Sequence, residues 1–144
     1  MQARGDGMVQ VLLLTRGGLA EEWRRATEAI CGRPLRGLET LVLDWDGALE
    51  DDRAHVRTKI GEMRARGPVL ILTDLPGSTP TNLACEHARA GEVAVVTGAN
   101  LPMVVRLACD DRETPDPAAL GDWICQKGRG TIRRIAGGGE RSGE

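Results

Sequence analysis

The sequence predicts an α/β fold, doubly wound about a mainly parallel sheet of four strands, with a short C-terminal strand at its edge. Three observations carry this. Apolar runs recur about every 25 to 30 residues with helical stretches between them, the rhythm of repeated strand–helix units. The runs are almost unbroken Val, Leu and Ile, as suits parallel strands covered on both faces. Glycines at 32, 67 and 91 follow the helical stretches, where a left-handed terminal residue is wanted.

The strands are read, in order, over residues 9–14, 38–43, 69–73 and 93–97. Between the first two, Leu19, Trp23, Ala26 and Ile30 recur at helical spacing, and Val56, Ile60 and Met63 do so in the next interval. The third helix starts at Thr79, a hydroxyl N-cap, followed by Pro80 at its first position. Asn100-Leu101-Pro102 turns the chain into a short helix over 103–108, and 116–127 reads as another. A final strand is expected at 131–135. Residues 1–8 are expected to be a flexible N-terminus, 9–136 one domain, and 137–144 a disordered tail.

A formal charge of -2, with basic and acidic residues interspersed, gives no electrostatic case for nucleic acid. No apolar stretch is long enough to span a membrane, and the opening MQARGDG lacks the hydrophobic middle of a signal peptide. Its Arg4-Gly5-Asp6 triplet is incidental. The four cysteines, Cys31, Cys85, Cys109 and Cys125, form no C-x-x-C pair and are read as reduced, buried thiols of a cytoplasmic protein.

In an open parallel sheet, ligands bind beyond the carboxyl ends of the strands. The loops there are T-R-G-G, D-W-D-G, D-L-P-G-S-T-P and T-G-A-N-L-P. Gly17 and Gly18 precede a helix, so backbone amides and the helix dipole can meet an anion, although the spacing is neither a Walker loop nor G-x-G-x-x-G. The third loop sets Asp74 at a strand tip beside the hydroxyls of Ser78 and Thr79. Asp44, Asp46, Glu50, Asp51 and Asp52 cluster without the spacing of a calcium loop, so no metal and no cofactor is expected.

Three of these stretches resemble one family. V-L-L-L-T-R-G-G-L-A-E (11–21), D-L-P-G-S-T-P-T-N-L-A (74–84) and T-G-A-N-L-P-M (97–103) are similar, in order, to motifs of mannose-type enzyme IIA domains of the bacterial sugar phosphotransferase system. The resemblance spans about residues 9–136. It implies a doubly wound domain, commonly a homodimer, whose last strand can be exchanged between subunits, here 131–135. It also implies a histidine at the end of the first strand that takes a phosphoryl group from the histidine phosphocarrier protein and passes it to enzyme IIB.

Arg16 occupies that histidine's position. Imidazole has an unprotonated nucleophilic form near neutral pH, whereas guanidinium stays protonated and has no lone pair for phosphorus. Asp74 matches the acid that orients the histidine and is able to pair with Arg16. Gly17, Gly18, Ser78 and Thr79 make the anion cradle, Thr79 matching the family's phosphoryl-holding serine. The resulting expectation is a cytoplasmic regulatory or anion-binding module with a degenerate active site. The alternatives are an active IIA component using another acceptor, or a plain structural domain. His55 and His87, read as helix residues, are poorly placed to accept the phosphoryl group.

Overall fold

Along β1 (Gln10–Arg16) the side chains alternate between two buried faces, because each strand residue points opposite to its neighbours. Val11 and Leu13 enter one core with Leu70, Leu72 and Val96, while Leu12 and Leu14 enter another with Leu43, Val69 and Ile71. A strand with no wet face must be apolar throughout, which explains the unbroken runs. The structure, a computed structural model, describes residues 7–110 and 114–138.

β1 is followed by α1 (Leu19–Cys31), β2 (Leu38–Leu43), α2 (Leu49–Arg64), β3 (Val69–Leu72), α3 (Thr79–Cys85), β4 (Val93–Val96), α4 (Leu101–Cys109) and α5 (Pro117–Arg129). The strands form one parallel sheet in the order β2-β1-β3-β4. Helices α1, α4 and α5 cover the first core through Ala20, Met103, Leu107, Leu120 and Ile124. Helices α2 and α3 cover the second through Val56, Ile60, Met63 and Leu83. The chain steps from β1 outward to β2, then returns past β1 to β3. Right-handed crossovers in opposite directions put α1 and α2 on opposite faces. The reversal opens a crevice between the carboxyl ends of β1 and β3.

Four expectations change. Residues 131–135 are exposed and pair with none of the four strands, so this chain alone has no edge strand there; five residues become a strand only by finding a ladder partner. In α1 the buried residues are Ala20 and Thr27, while Leu19 and Ile30 are exposed. The helix is rotated because the Thr15 hydroxyl accepts from the Ala20 amide at 2.9 Å, turning Ala20 to the sheet. In α3 the N-cap is Ser78, not Thr79, and the helix ends at Cys85, so His87 lies beyond it. Finally, Cys31 and Cys109 are joined in a disulfide, Cys85 is an exposed thiol and Cys125 a half-buried one. The cysteines sit 78 residues apart and meet only because α1 and α4 pack side by side, which no spacing pattern reveals.

Helix α1 is also fastened to β2. Glu21 accepts from the Thr40 hydroxyl and from Arg24, and these two bonds, the Arg24 one foremost, hold its carboxyl below the usual 4.5. Among the described residues no helix is long and apolar enough to cross a membrane. The Arg4-Gly5-Asp6 triplet and residues 139–144 of the tail lie outside the described residues.

Candidate functional site

Arg16 closes β1, where its register partner is Leu43, the last residue of β2. Its Nη1 donates to the carbonyl of Asp44 and, at 3.4 Å, to that of Trp45. The same nitrogen lies 3.9 Å from Oδ2 of Asp52, and the arginine side chain is 18% exposed. Nε and Nη2 have no hydrogen-bond partner among the described residues, so the guanidinium braces one loop with one nitrogen and keeps the rest of its donors. Asp52 sits in the first turn of α2, almost wholly buried, with Oδ2 lacking any hydrogen bond. A buried carboxylate in that state depends on a nearby cation, and Arg16 supplies it.

Gly17 has φ +70°, and its amide donates to the Leu43 carbonyl at 2.8 Å. It therefore contributes the turn rather than a free donor for an anion. A Cβ on Gly17 would stand 2.5 Å from Nε1 of Trp45, whose indole lies over the turn while remaining 75% exposed. Gly17→Ala combines a left-handed alanine with that clash and is expected to destabilise the fold by about 1–3 kcal/mol; urea denaturation followed by circular dichroism measures it.

Gly18 is exposed, stands at the N-cap of α1 and has open space where a Cβ would lie. With Thr15 occupying the Ala20 amide, the amides of Gly18, Leu19 and Glu21 remain without a partner among the described residues. These donors and the positive end of the helix dipole face the carboxyl edge of the sheet.

Asp74 lies on the neighbouring loop, two residues beyond Leu72, the register partner of Leu13. Its half-buried carboxylate makes no hydrogen bond or ion pair among the described residues. The anticipated Arg16–Asp74 pair does not form, because the Asp44 and Trp45 carbonyls and the Asp52 carboxylate draw the guanidinium to the β2 side. Ser78 Oγ accepts from the Thr81 amide, and Thr79, first in α3, keeps an unpartnered amide.

Sequence reasoning missed Thr81. Its hydroxyl donates to the Leu75 carbonyl at 2.8 Å and meets Thr73 Oγ1 at 2.7 Å, Ser78 Oγ at 3.1 Å and Thr97 Oγ1 at 3.3 Å. A hydroxyl has one proton, so with that proton on the carbonyl it is Thr73 that donates to Thr81. The knot ties the loop carrying Asp74 and Ser78 to the ends of β3 and β4. The signal was available: threonine follows a strand's last apolar residue at Thr15, Thr73 and Thr97.

His55 is exposed on α2, and His87 is half-buried past α3. Among the described residues, no group of three or more His, Cys, Asp or Glu side chains is arranged to hold a metal. The site thus offers one braced guanidinium, two helix N-termini with open amides, and a lone carboxylate between them. It lacks a neutral nitrogen nucleophile.

Residues 10–119 match the family model described as EIIA-man, PTS system fructose IIA component. The fold resembles the mannose/sorbose-specific IIA subunit of the phosphotransferase system from Enterococcus faecalis, at 25% identity and a TM-score of 0.78, over 88% of this chain and 94% of that one. It also resembles the PTS IIA protein associated with the fucose utilization operon of Streptococcus pneumoniae, at 21% identity and TM-score 0.77, over 92% and 96%. A third likeness is to phosphotransferase system component EIIA from Streptococcus agalactiae, at 19% identity and TM-score 0.75, over 88% and 97%. The last two likenesses bear on fold alone. No curated protein matches the chain.

Proposed function

We propose a function from the premise that this chain belongs to the EIIA-man family of sugar phosphotransferase system IIA components. Membership implies, in general, dealings with the phosphocarrier protein and with IIB components. The chain, in our reading, keeps the docking scaffold of a IIA domain without its phosphoryl chemistry at residue 16, and serves as a regulatory module that binds a phosphate-like anion or a partner group carrying one. The single observation behind this is Arg16 at the end of β1. A guanidinium, protonated at neutral pH, has no lone pair with which to attack phosphorus, but it binds oxyanions strongly through paired N–H donors.

Its free Nε and Nη2 donors, together with the open amides of Gly18, Leu19 and Thr79, support the anion-binding part. Asp74 opposes it electrostatically, which favours a partly protonated ligand or one whose phosphoryl group stays on the Arg16 side. We place the protein in the cytoplasm with the other soluble components, as a homodimer whose exposed residues 131–135 meet the second subunit, and with no cofactor.

Incubation with phosphoenolpyruvate, enzyme I and the phosphocarrier protein is expected to leave the intact mass unchanged. A gain of one phosphoryl group would restore the active-carrier alternative. Phosphate titrated into the chain should bind in the millimolar range or tighter, and Arg16→Ala should weaken it at least tenfold, as loss of a charged hydrogen-bond donor of about 1.5–3 kcal/mol implies. Equal binding by the two proteins would remove the basis for the anion reading.

A further inference from the structure

We propose that the Cys31–Cys109 disulfide is a reversible dithiol–disulfide switch, set by a cellular dithiol, that fastens and releases the far ends of α1 and α4. The bond joins the last residue of α1 to the last residue of α4, across 78 residues of sequence. Cys109 is an exposed residue and Cys31 a half-buried one, so exchange with a thiolate from solvent is expected at Cys109, on the folded chain.

The core beneath does not need the bond. Ala20 of α1 already packs with Met103, Val104 and Leu107 of α4 in one buried cluster with Leu13 of the sheet. Beyond the disulfide, Gly32 turns the chain out in a left-handed conformation, and Arg33 reaches the Ala108 carbonyl at 3.5 Å. Cys109 also forms part of the wall of an apolar groove of about 510 Å³ lined by Ile30, Leu101, Pro102 and Val105. Release of the bond frees Ile30 and Cys109 to part and widens that groove. Because α1 is capped at Gly18 and α4 at Asn100, both helices lead from the switch to the carboxyl edge of the sheet.

The chemistry balances as exchange. A dithiol's thiolate attacks Cys109 Sγ, the Cys31–Cys109 bond breaks, and Cys31 leaves as a thiolate that takes up a proton. The second thiol then resolves the mixed disulfide, so the protein gains two thiols and the dithiol becomes a cyclic or linked disulfide. Oxidation runs the same steps in reverse. Cys85 and Cys125, free in the oxidised form, serve as an internal count.

The test uses the full chain, folded, with a maleimide label read by intact mass. The oxidised protein should take two labels, and millimolar dithiothreitol should raise that to four within minutes while the far-ultraviolet circular dichroism stays unchanged. Amide exchange at residues 28–33 and 105–109 should rise at least tenfold on reduction. Cys31→Ser and Cys109→Ser should each show the fast exchange whatever the redox conditions. The proposal is overturned if the bond yields only in denaturant, if reduction unfolds the domain, if exchange is the same in both forms, or if four thiols are labelled even after incubation with oxidised dithiol.

Discussion

Arg16→His is expected to turn a chain that takes up no phosphoryl group into one that takes up nearly one per molecule from phosphoenolpyruvate, enzyme I and the phosphocarrier protein. The reasoning is local. An imidazole at the end of β1 supplies the missing lone pair. The Asp74 carboxylate on the next loop has no partner to lose, and the amides of Gly18, Leu19 and Thr79 are open to receive oxygen atoms. The substitution also has a structural cost. It removes the brace to the Asp44 and Trp45 carbonyls and takes the cation away from buried Asp52, destabilising the fold by about 1–3 kcal/mol. Intact mass reads the labelling, and urea denaturation reads the cost. A folded variant that stays unlabelled would mean that the surface for the phosphocarrier has been lost as well as the acceptor.

The second large effect is expected at Thr81. Thr81→Val keeps the shape and removes the hydroxyl, leaving the buried Thr73 hydroxyl without its acceptor and the Leu75 carbonyl with the Ser78 amide as its one remaining donor. One stranded buried hydroxyl, with one loop hydrogen bond lost beside it, makes a loss of about 1–3 kcal/mol. The loop carrying Asp74 and Ser78 should loosen with it, so phosphate binding should fall further than stability alone explains. Thr81→Ser, which retains the hydroxyl, should recover most of both. Equal loss in the serine variant would show that the methyl group, not the hydrogen bonds, holds the loop.

How much could be read beforehand depended on whether the cause was local. The inner strands were legible because a sheet buried on both faces demands continuous apolar runs, as Val69–Leu72 shows, while residues 38–43, half-buried at the sheet edge and carrying Glu39 and Thr40, became β2 with the same bounds. The α2 face of Val56, Ile60 and Met63 was legible for the same reason, since helical periodicity is set within the segment. The phase of α1 was not, because a single hydrogen bond from outside the helix, Thr15 to Ala20, sets it. The site divides in the same way. Which residues stand at the carboxyl edge followed from strand order and the motifs. Which way Arg16 turns did not, since carboxylates lie on both sides of it and only the folded β2–α2 loop adds two carbonyls to one side. The disulfide and the unpaired residues 131–135 depend on what meets in space, and no spacing rule reaches them.

The indole poised on the Gly17 turn gives this crevice a built-in optical reporter. Trp23 and Trp123 pack against the first core, whereas Trp45 is open to water beside Arg16. A small aqueous quencher such as iodide should therefore extinguish chiefly the Trp45 emission, and anything that settles between the guanidinium and the glycine turn should shield it. Occupancy of the crevice then becomes visible in a cuvette, without a label and before the occupant has been identified.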